Sequence, residues 1–371
     1  MSERRHADYR ATRVFGSLDG LRALAVIAVV WHHSPAGRGF GDWPATWRGY
    51  LGVDLFFVIS GFLITTLLLR EGERNGRIAV GAFFARRALR IFPLYFAVLG
   101  GLALALGVVW PNAAMAAPFF ADLPWYASYT SNWMHAGTFL VITWSLAAEE
   151  QFYLAWAPLM QTLGERARFV AWAALAASVA ATAGLFDGPL AWALGPRFRE
   201  LDMVQATFAP LALGCLAAFS LHRAATFARA ARVLGSRAAA PVAALVTIAV
   251  ASAPEVEPLR YARGAVQLTL TALVVACVLR EDHGLARALR LRPLARLGVV
   301  SYGVYLLHML TLQGTRPLCA SLQVTDAVRP WLLFALNGAA AWAAAEVSYR
   351  ALERPCLRLK ARFTPRGAAH V

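Results

Sequence analysis

An all-α, polytopic membrane protein of about ten transmembrane helices is the fold class this sequence predicts, and three observations carry it. First, 59% of the residues are hydrophobic against 15% charged, a balance that soluble domains rarely show. Second, apolar runs of near-bilayer length recur along the whole chain. Third, the cationic residues collect in alternate connections between those runs. The net charge of +15 would by itself admit a basic nucleic-acid module, but such modules do not carry ten separate apolar runs. The expected partner is a lipid bilayer and not nucleic acid.

The runs lie at about 18–34, 50–69, 91–110, 143–163, 169–186, 203–221, 239–252, 264–279, 297–313 and 330–349. With the N-terminus inside, the inner segments hold twenty-seven of the 36 Lys and Arg residues, the outer ones eight, and Arg22 lies within the first run. Cytoplasmic loops collect positive charge, so both termini are expected to face the cytoplasm. The expected division is a cytoplasmic tail over 1–16, a membrane domain over 17–352 and a second cytoplasmic tail over 353–371.

The connection at 111–142 has no Lys or Arg but many aromatics, "PFFADLPWYASYTSNWMHAGTF". It reads as an outer loop at the interface, suited to a lid or substrate surface. No cleavable signal is evident, because polar groups interrupt the first apolar run. Cys215, Cys277, Cys319 and Cys356 fall in different segments, which argues against a disulfide framework or a thiolate metal site. The glycine cluster "GRGFGD" does not follow a strand and is not read as a nucleotide site.

Ionisable groups at bilayer depth must face protein or a water-filled cavity, so the polar residues inside apolar runs carry the functional reading. In "LDGLRALAVIAVVWHH", Arg22 and His33 are eleven positions apart. That spacing puts them on one helix face, about 16 Å apart along the axis. His32 points about 100° away. Arg22 can pair with Asp19 or serve a ligand, and Asp19 can instead cap the helix. In "GYLGVDLFFVISGFLITTLLLRE", Asp54 lies a turn inside the outer end, at a depth from which it could orient an imidazole at His33. Ser60 and Gly61 fall mid-helix, where small residues let helices approach. In "FFARRALRIFPLYF", Arg86, Arg87 and Arg90 crowd one turn and could hold a phosphorylated donor or simply set topology. In "TWSLAAEEQFYLAWAPL", Glu149 and Glu150 diverge by about 100°, so one at most faces the His33 cavity; Tyr153 follows one turn on. In "SYGVYLLHML", Ser301, Tyr305 and His308 share a face and Tyr302 lies beside them.

Taken in order, these five stretches resemble the successive signatures of the acyltransferase 3 family of membrane acyltransferases, over residues 18 to 308. The resemblance implies an integral inner-membrane enzyme that takes an acyl group, usually acetyl, from cytoplasmic acyl-coenzyme A. It delivers the group to a hydroxyl of a cell-envelope or exported glycan. The family's arginine, ten residues, histidine pattern falls on Arg22 and His33, and its arginine pair on Arg87 and Arg90 with Arg86 beside them. On this reading His33, Glu149, Glu150 and Asp54 are the catalytic candidates, and Arg22, Arg86, Arg87 and Arg90 bind acyl-coenzyme A. Ser60, Tyr153, Ser301, Tyr302 and His308 are further candidates. No metal or bound cofactor is expected, with acyl-coenzyme A as co-substrate. Many family members carry a C-terminal periplasmic SGNH hydrolase-like domain. This sequence stops soon after the tenth run, so a stand-alone form is expected, with acceptor handling left to the membrane domain or a separate periplasmic protein.

Neutral histidine can act as a base toward the acceptor hydroxyl or hold the acyl group itself. The span from Arg22 to His33 is comparable to an extended pantetheine arm. The competing reading is a transporter or flippase of an acyl donor or lipid-linked glycan, whose buried charges form a translocation path. It offers no reason for an inner arginine cluster beside an Arg and a His on one face. A scaffold leaves the buried acids unexplained.

Overall fold

A bilayer supplies no water to the backbone, so a chain built for it must close its hydrogen bonds within helices or barrels. In a computed structural model that describes residues 2–36, 43–133, 140–194, 208–253 and 260–363, the described residues form helices, turns and no strand. In chain order the helices are α1 Ser2–Ala11, α2 Gly16–His32, α3 Pro44–Trp47, α4 Leu51–Asn75, α5 Val80–Leu104 and α6 Ala116–Ala127. Next come α7 Thr143–Leu163, α8 Ala167–Thr182, α9 Asp187–Leu194, α10 Ala209–His222, α11 Ala224–Leu234 and α12 Ala239–Ala251. The chain closes with α13 Arg260–Leu279, α14 Ala286–Leu289, α15 Arg292–Val299, α16 Ser301–Ser321, α17 Arg329–Ser348 and α18 Arg354–Arg358.

Each of the ten apolar runs falls on a helix, namely α2, α4, α5, α7, α8, α10, α12, α13, α16 and α17. By length and composition, two helical stretches among the described residues are apolar enough to cross a membrane, Leu51–Asn75 and Val80–Val109. The number rises to five if each of three bent pairs counts as one span. The bends are physical. Arg223 in extended backbone separates α10 from α11 at 109°, and Val300 separates α15 from α16 at 77°, inside the run read as 297–313. The third run starts earlier than expected, because arginine is a good helix former and α5 continues through Arg86, Arg87 and Arg90. The aromatic connection expected as an outer loop contains α6 and a short 3₁₀ turn, Ser131–Trp133. The glycine cluster at 37–42, residues 134–139, Arg197, Arg199, the start of the sixth run at 203–207 and the end of the tail at 364–371 lie outside the described residues.

The centre of the bundle is α4 crossing α10. Gly61 and Gly214 make the approach possible: a Cβ at Gly61 would lie 2.2 Å from the Leu211 carbonyl oxygen, and one at Gly214 2.3 Å from that of Val58. Small residues at such contacts let backbones touch without side chains between them. Nearly every residue of α10 is buried, which fits a helix apolar on all sides and enclosed by others. By contrast, only 28% of the apolar window of α5 is buried against 78% for α4, so α5 is peripheral with its outer side fit for lipid. A second glycine contact joins α15 to α2, where a Cβ on Gly298 would sit 1.9 Å from the Asp19 carbonyl oxygen.

The described parts of both tails pack on the bundle. Helix α1 is held by the Arg10–Glu73 ion pair and by Arg70, which donates to the carbonyls of Tyr9 (2.9 Å) and Thr12 (2.6 Å). After α17 a π-helical turn, Tyr349–Glu353, leads through α18 to a 3₁₀ turn, Leu359–Phe363, and this segment lies along α5.

Candidate functional site

Two cavities meet in the bundle. The larger, of about 390 Å³, is a vestibule lined by Arg13, Arg22, Arg70, Arg74, Arg86, Arg87, Arg90 and Lys360, with Asp19 and Glu71 as the carboxylates among the described residues of its walls. The smaller, of about 80 Å³, is enclosed by α2, α4, α5, α7 and α16 and is lined by Ser145, Glu149, Ser301, Tyr302 and Tyr305 among others. Arg22, Ser60, Arg87 and Arg90 line both, so they form the waist between them.

At that waist Glu149 is the organising group. Its Oε1 accepts from the Ser60 hydroxyl (2.5 Å) and the Tyr153 hydroxyl, and it lies 3.7 Å from an Nη of Arg87. Arg87 in turn sits 4.0 Å above the Tyr153 ring, a cation–π arrangement. One carboxylate thus ties α4, α5 and α7 together. Arg22 pairs with Asp19 at 3.4 Å, and because α2 has no side-chain cap, Asp19 serves this pair and not the helix end. Arg86 donates to Glu71 (3.1 Å) and to the carbonyl of Phe363 (2.8 Å), while Arg90 makes no hydrogen bond or ion pair among the described residues. Tyr302 donates to the Ile91 carbonyl at 2.8 Å. Ser301 is buried in the wall of the inner cavity.

Tyr305 carries the path onward. Its hydroxyl donates to the Ile142 carbonyl (2.8 Å) and lies 2.6 Å from the Ser145 hydroxyl. Nearly one turn on, the fully buried His308 reaches His33, with Nε2 of His308 3.2 Å from Nδ1 of His33. Backbone carbonyls assign the protons here. Nδ1 of His308 faces the Tyr305 carbonyl at 2.5 Å, and Nδ1 of His33 faces the Val29 carbonyl at 2.9 Å. A carbonyl only accepts, so in the neutral pair both Nδ1 atoms carry hydrogen. Nε2 of His308 is then an acceptor for the His33 Nδ1–H, and Nε2 of His33 is left with a lone pair. The neighbouring His32 turns away, exposed, with its ring nitrogen 2.8 Å from the Trp47 carbonyl.

The acids expected beside His33 are elsewhere. Among the described residues His33 makes no hydrogen bond or ion pair with Asp54, Glu149 or Glu150. Asp54, fully buried, is held by Arg263 through two bonds (3.0 and 3.1 Å) and by Gln267 (3.2 Å). A carboxylate in a low-dielectric interior takes the nearest strong cation, and α13 presents Arg263 and Gln267 at i, i+4 on one face. That polar pair at the head of an apolar run is the available signal. Of the adjacent acids, Glu149 lines the inner cavity, whereas Glu150 lines neither cavity and leaves Oε1 buried without a hydrogen-bond partner. Lys360, Arg70 and Ser145 are further lining residues that sequence reasoning had not singled out.

A family model described as an acyltransferase domain matches residues 15–345 of the chain. The chain is 27% identical to the peptidoglycan O-acetyltransferase OatA of Listeria monocytogenes over 91% of its own length and 55% of that protein's. It is 29% identical to the putative peptidoglycan O-acetyltransferase YrhL of Bacillus subtilis over 80% of this chain and 48% of the relative. A putative O-acetyltransferase of Staphylococcus aureus is 36% identical over 42% of this chain and 26% of its own. The chain therefore spans about half the length of the two peptidoglycan relatives, and no solved structure matches it.

Proposed function

This chain belongs to the acyltransferase 3 family, and from that premise we propose that it moves an acetyl group from cytoplasmic acyl-coenzyme A to a hydroxyl of a cell-envelope glycan. The names of its relatives favour peptidoglycan as that glycan. The proposed topology is ten spans in a bacterial inner membrane with both termini in the cytoplasm. The observation that carries the reading is the strongly cationic vestibule continuous, through Arg22, Ser60, Arg87 and Arg90, with a narrow cavity whose wall residue Tyr305 adjoins the His33–His308 pair.

Arginine forks suit phosphate oxygens. The vestibule holds the coenzyme A phosphates, and the pantetheine arm passes the waist with its thioester leading. The acceptor hydroxyl arrives beside His33, whose Nε2 lone pair takes its proton as the acyl–oxygen bond forms. The acyl–sulfur bond breaks, and the departing thiolate takes up the proton. As His33 becomes imidazolium, its Nδ1–H bond to His308 strengthens, so a neutral histidine does the work that a carboxylate does in many triads. The same lone pair could carry the acyl group in a two-step transfer. Glu149 holds Arg87 at the waist, and Asp54 secures α13 against α4.

The test is acyl transfer in proteoliposomes from labelled acetyl-coenzyme A to peptidoglycan fragments, with mass spectrometry of envelope glycans from cells with and without the chain. An added acetyl mass that depends on the chain is expected. Unchanged glycans with movement of an unmodified substrate would establish transport instead, and full activity in correctly inserted His33→Ala protein would remove His33 from the chemistry.

A further inference from the structure

The C-terminal segment brings a cation to the vestibule from beyond the residues that the family model matches, which end at 345. From this geometry we infer that Lys360 binds the phosphate groups of the donor and that the turn Leu359–Phe363 completes the donor site. The inference rests on the acyl-coenzyme A reading above.

Four observations support it. Lys360 is half-buried in the vestibule wall that Arg86, Arg87 and Arg90 also line. The turn that carries it is anchored to the same cluster, since Arg86 donates to the Phe363 carbonyl at 2.8 Å. The carboxylates nearest the arginine cluster among the described residues are already engaged, Glu71 by Arg86 and by the Ala79 backbone N–H, and Glu149 at the waist under Arg87. Burial, then the guanidinium groups of Arg90, Arg86 and Arg87, push the Lys360 ammonium down to about 8. Cations held this close repel one another, and a multiply charged anion seated among them relieves the repulsion. Among the described residues, the other charged or titratable groups lining the vestibule are Arg70 and Arg74 on α4, Arg13 before α2, Asp19 and Arg22 on α2 and Tyr153 on α7, and Glu353 in the π-helical turn acts on Arg90. Acidic groups are the minority, so the site selects for a polyanion.

Coenzyme A and an anionic lipid headgroup share this phosphate chemistry, and a labelling experiment separates them. Lys360 is the chain's one lysine, so an amine-reactive reagent reports on it at a single peptide. The probe is desulfo-coenzyme A, which keeps every phosphate and lacks a competing thiol, added to full-length protein in phosphatidylcholine vesicles. Its binding is measured alongside by calorimetry. Protection of Lys360 from labelling is expected, together with a Kd about tenfold weaker in Lys360→Gln. Lys360→Arg should keep the affinity. In the wild type the Kd should rise between pH 7 and pH 9 as the ammonium loses its proton, and in Lys360→Arg it should stay flat.

Tight binding with no protection and no change in Lys360→Gln would overturn the role of Lys360 while leaving the donor reading intact. Protection by phosphatidylglycerol vesicles, with none by desulfo-coenzyme A, would assign Lys360 to lipid and overturn the inference. No binding to wild-type protein would overturn the donor reading and the inference with it. Labelling of the wild type decides the matter even where Lys360→Gln fails to fold.

Discussion

Replacing His308 by phenylalanine tests the proton assignment at the histidine pair most directly. The side chain is fully buried and its Nε2 lies 3.2 Å from His33 Nδ1, so the change removes one acceptor from the His33 N–H at similar volume. The Val29 carbonyl, 2.9 Å away, remains as a second acceptor. A hydrogen bond from a charged donor contributes about 1.5–3 kcal/mol. With half of the sharing retained, the loss falls at about 1.5 kcal/mol and applies only when His33 is imidazolium. That corresponds to roughly a tenfold lower kcat with an unchanged KM for the acyl donor, since the vestibule is not touched. His308→Gln offers a side-chain oxygen in place of Nε2 and should keep most of the rate. Removing the base itself in His33→Ala should cost about 10²–10⁴. Initial rates of acetyl transfer in proteoliposomes, with insertion checked by size-exclusion chromatography, give the ranking. Wild-type kcat in His308→Phe would refute the shared-proton argument. A loss as deep as that of His33→Ala would refute it differently, by making His308 the base.

Asp54→Ala should lower stability by about 3–5 kcal/mol, because it leaves the Arg263 guanidinium in a buried site without its carboxylate. Adding Arg263→Leu should restore most of the loss in thermal unfolding in detergent, and no recovery would contradict the pairing. Gly298→Ala places a Cβ 1.9 Å from the Asp19 carbonyl oxygen, so α15 must move off α2 at a cost of about 1–3 kcal/mol. A lowered melting temperature is expected, and an unchanged one would show that the contact is looser than described. In ligand-free protein Lys360 titrates near 8 against an ordinary value of 10.5. The unfolded chain therefore holds that proton more tightly between those values, and stability rises with pH across the window. Denaturant unfolding at pH 8 and pH 10.5 should show the rise in wild type and a smaller one in Lys360→Met.

The helices were legible because the requirement that makes them is local: an apolar run that must satisfy its own backbone in lipid has few alternatives to helix. Helix α6 escaped notice because its apolar stretch is short and contains Pro124. Most of the candidate site residues were legible individually by the same local logic, each being polar where polarity is costly. Arg22, Ser60, Arg87, Arg90, Glu149, Ser301 and Tyr302 do line one cavity. The pairings were a different matter. Three acids were candidates for His33, and the contact that forms is with His308, 275 positions along the chain. Asp54 found Arg263 across 209 positions, and Lys360 joined the arginines of α5 from the far end of the chain.

The sequence by itself determined which apolar runs are helical and which of their polar side chains must turn toward protein, since burial cost is a property of each residue in its run. Only the tertiary structure decided which of those side chains meet. That depends on where helices cross, and the crossings are set by backbone contacts such as Gly61 on Leu211 and Gly298 on Asp19, between residues that no local pattern relates.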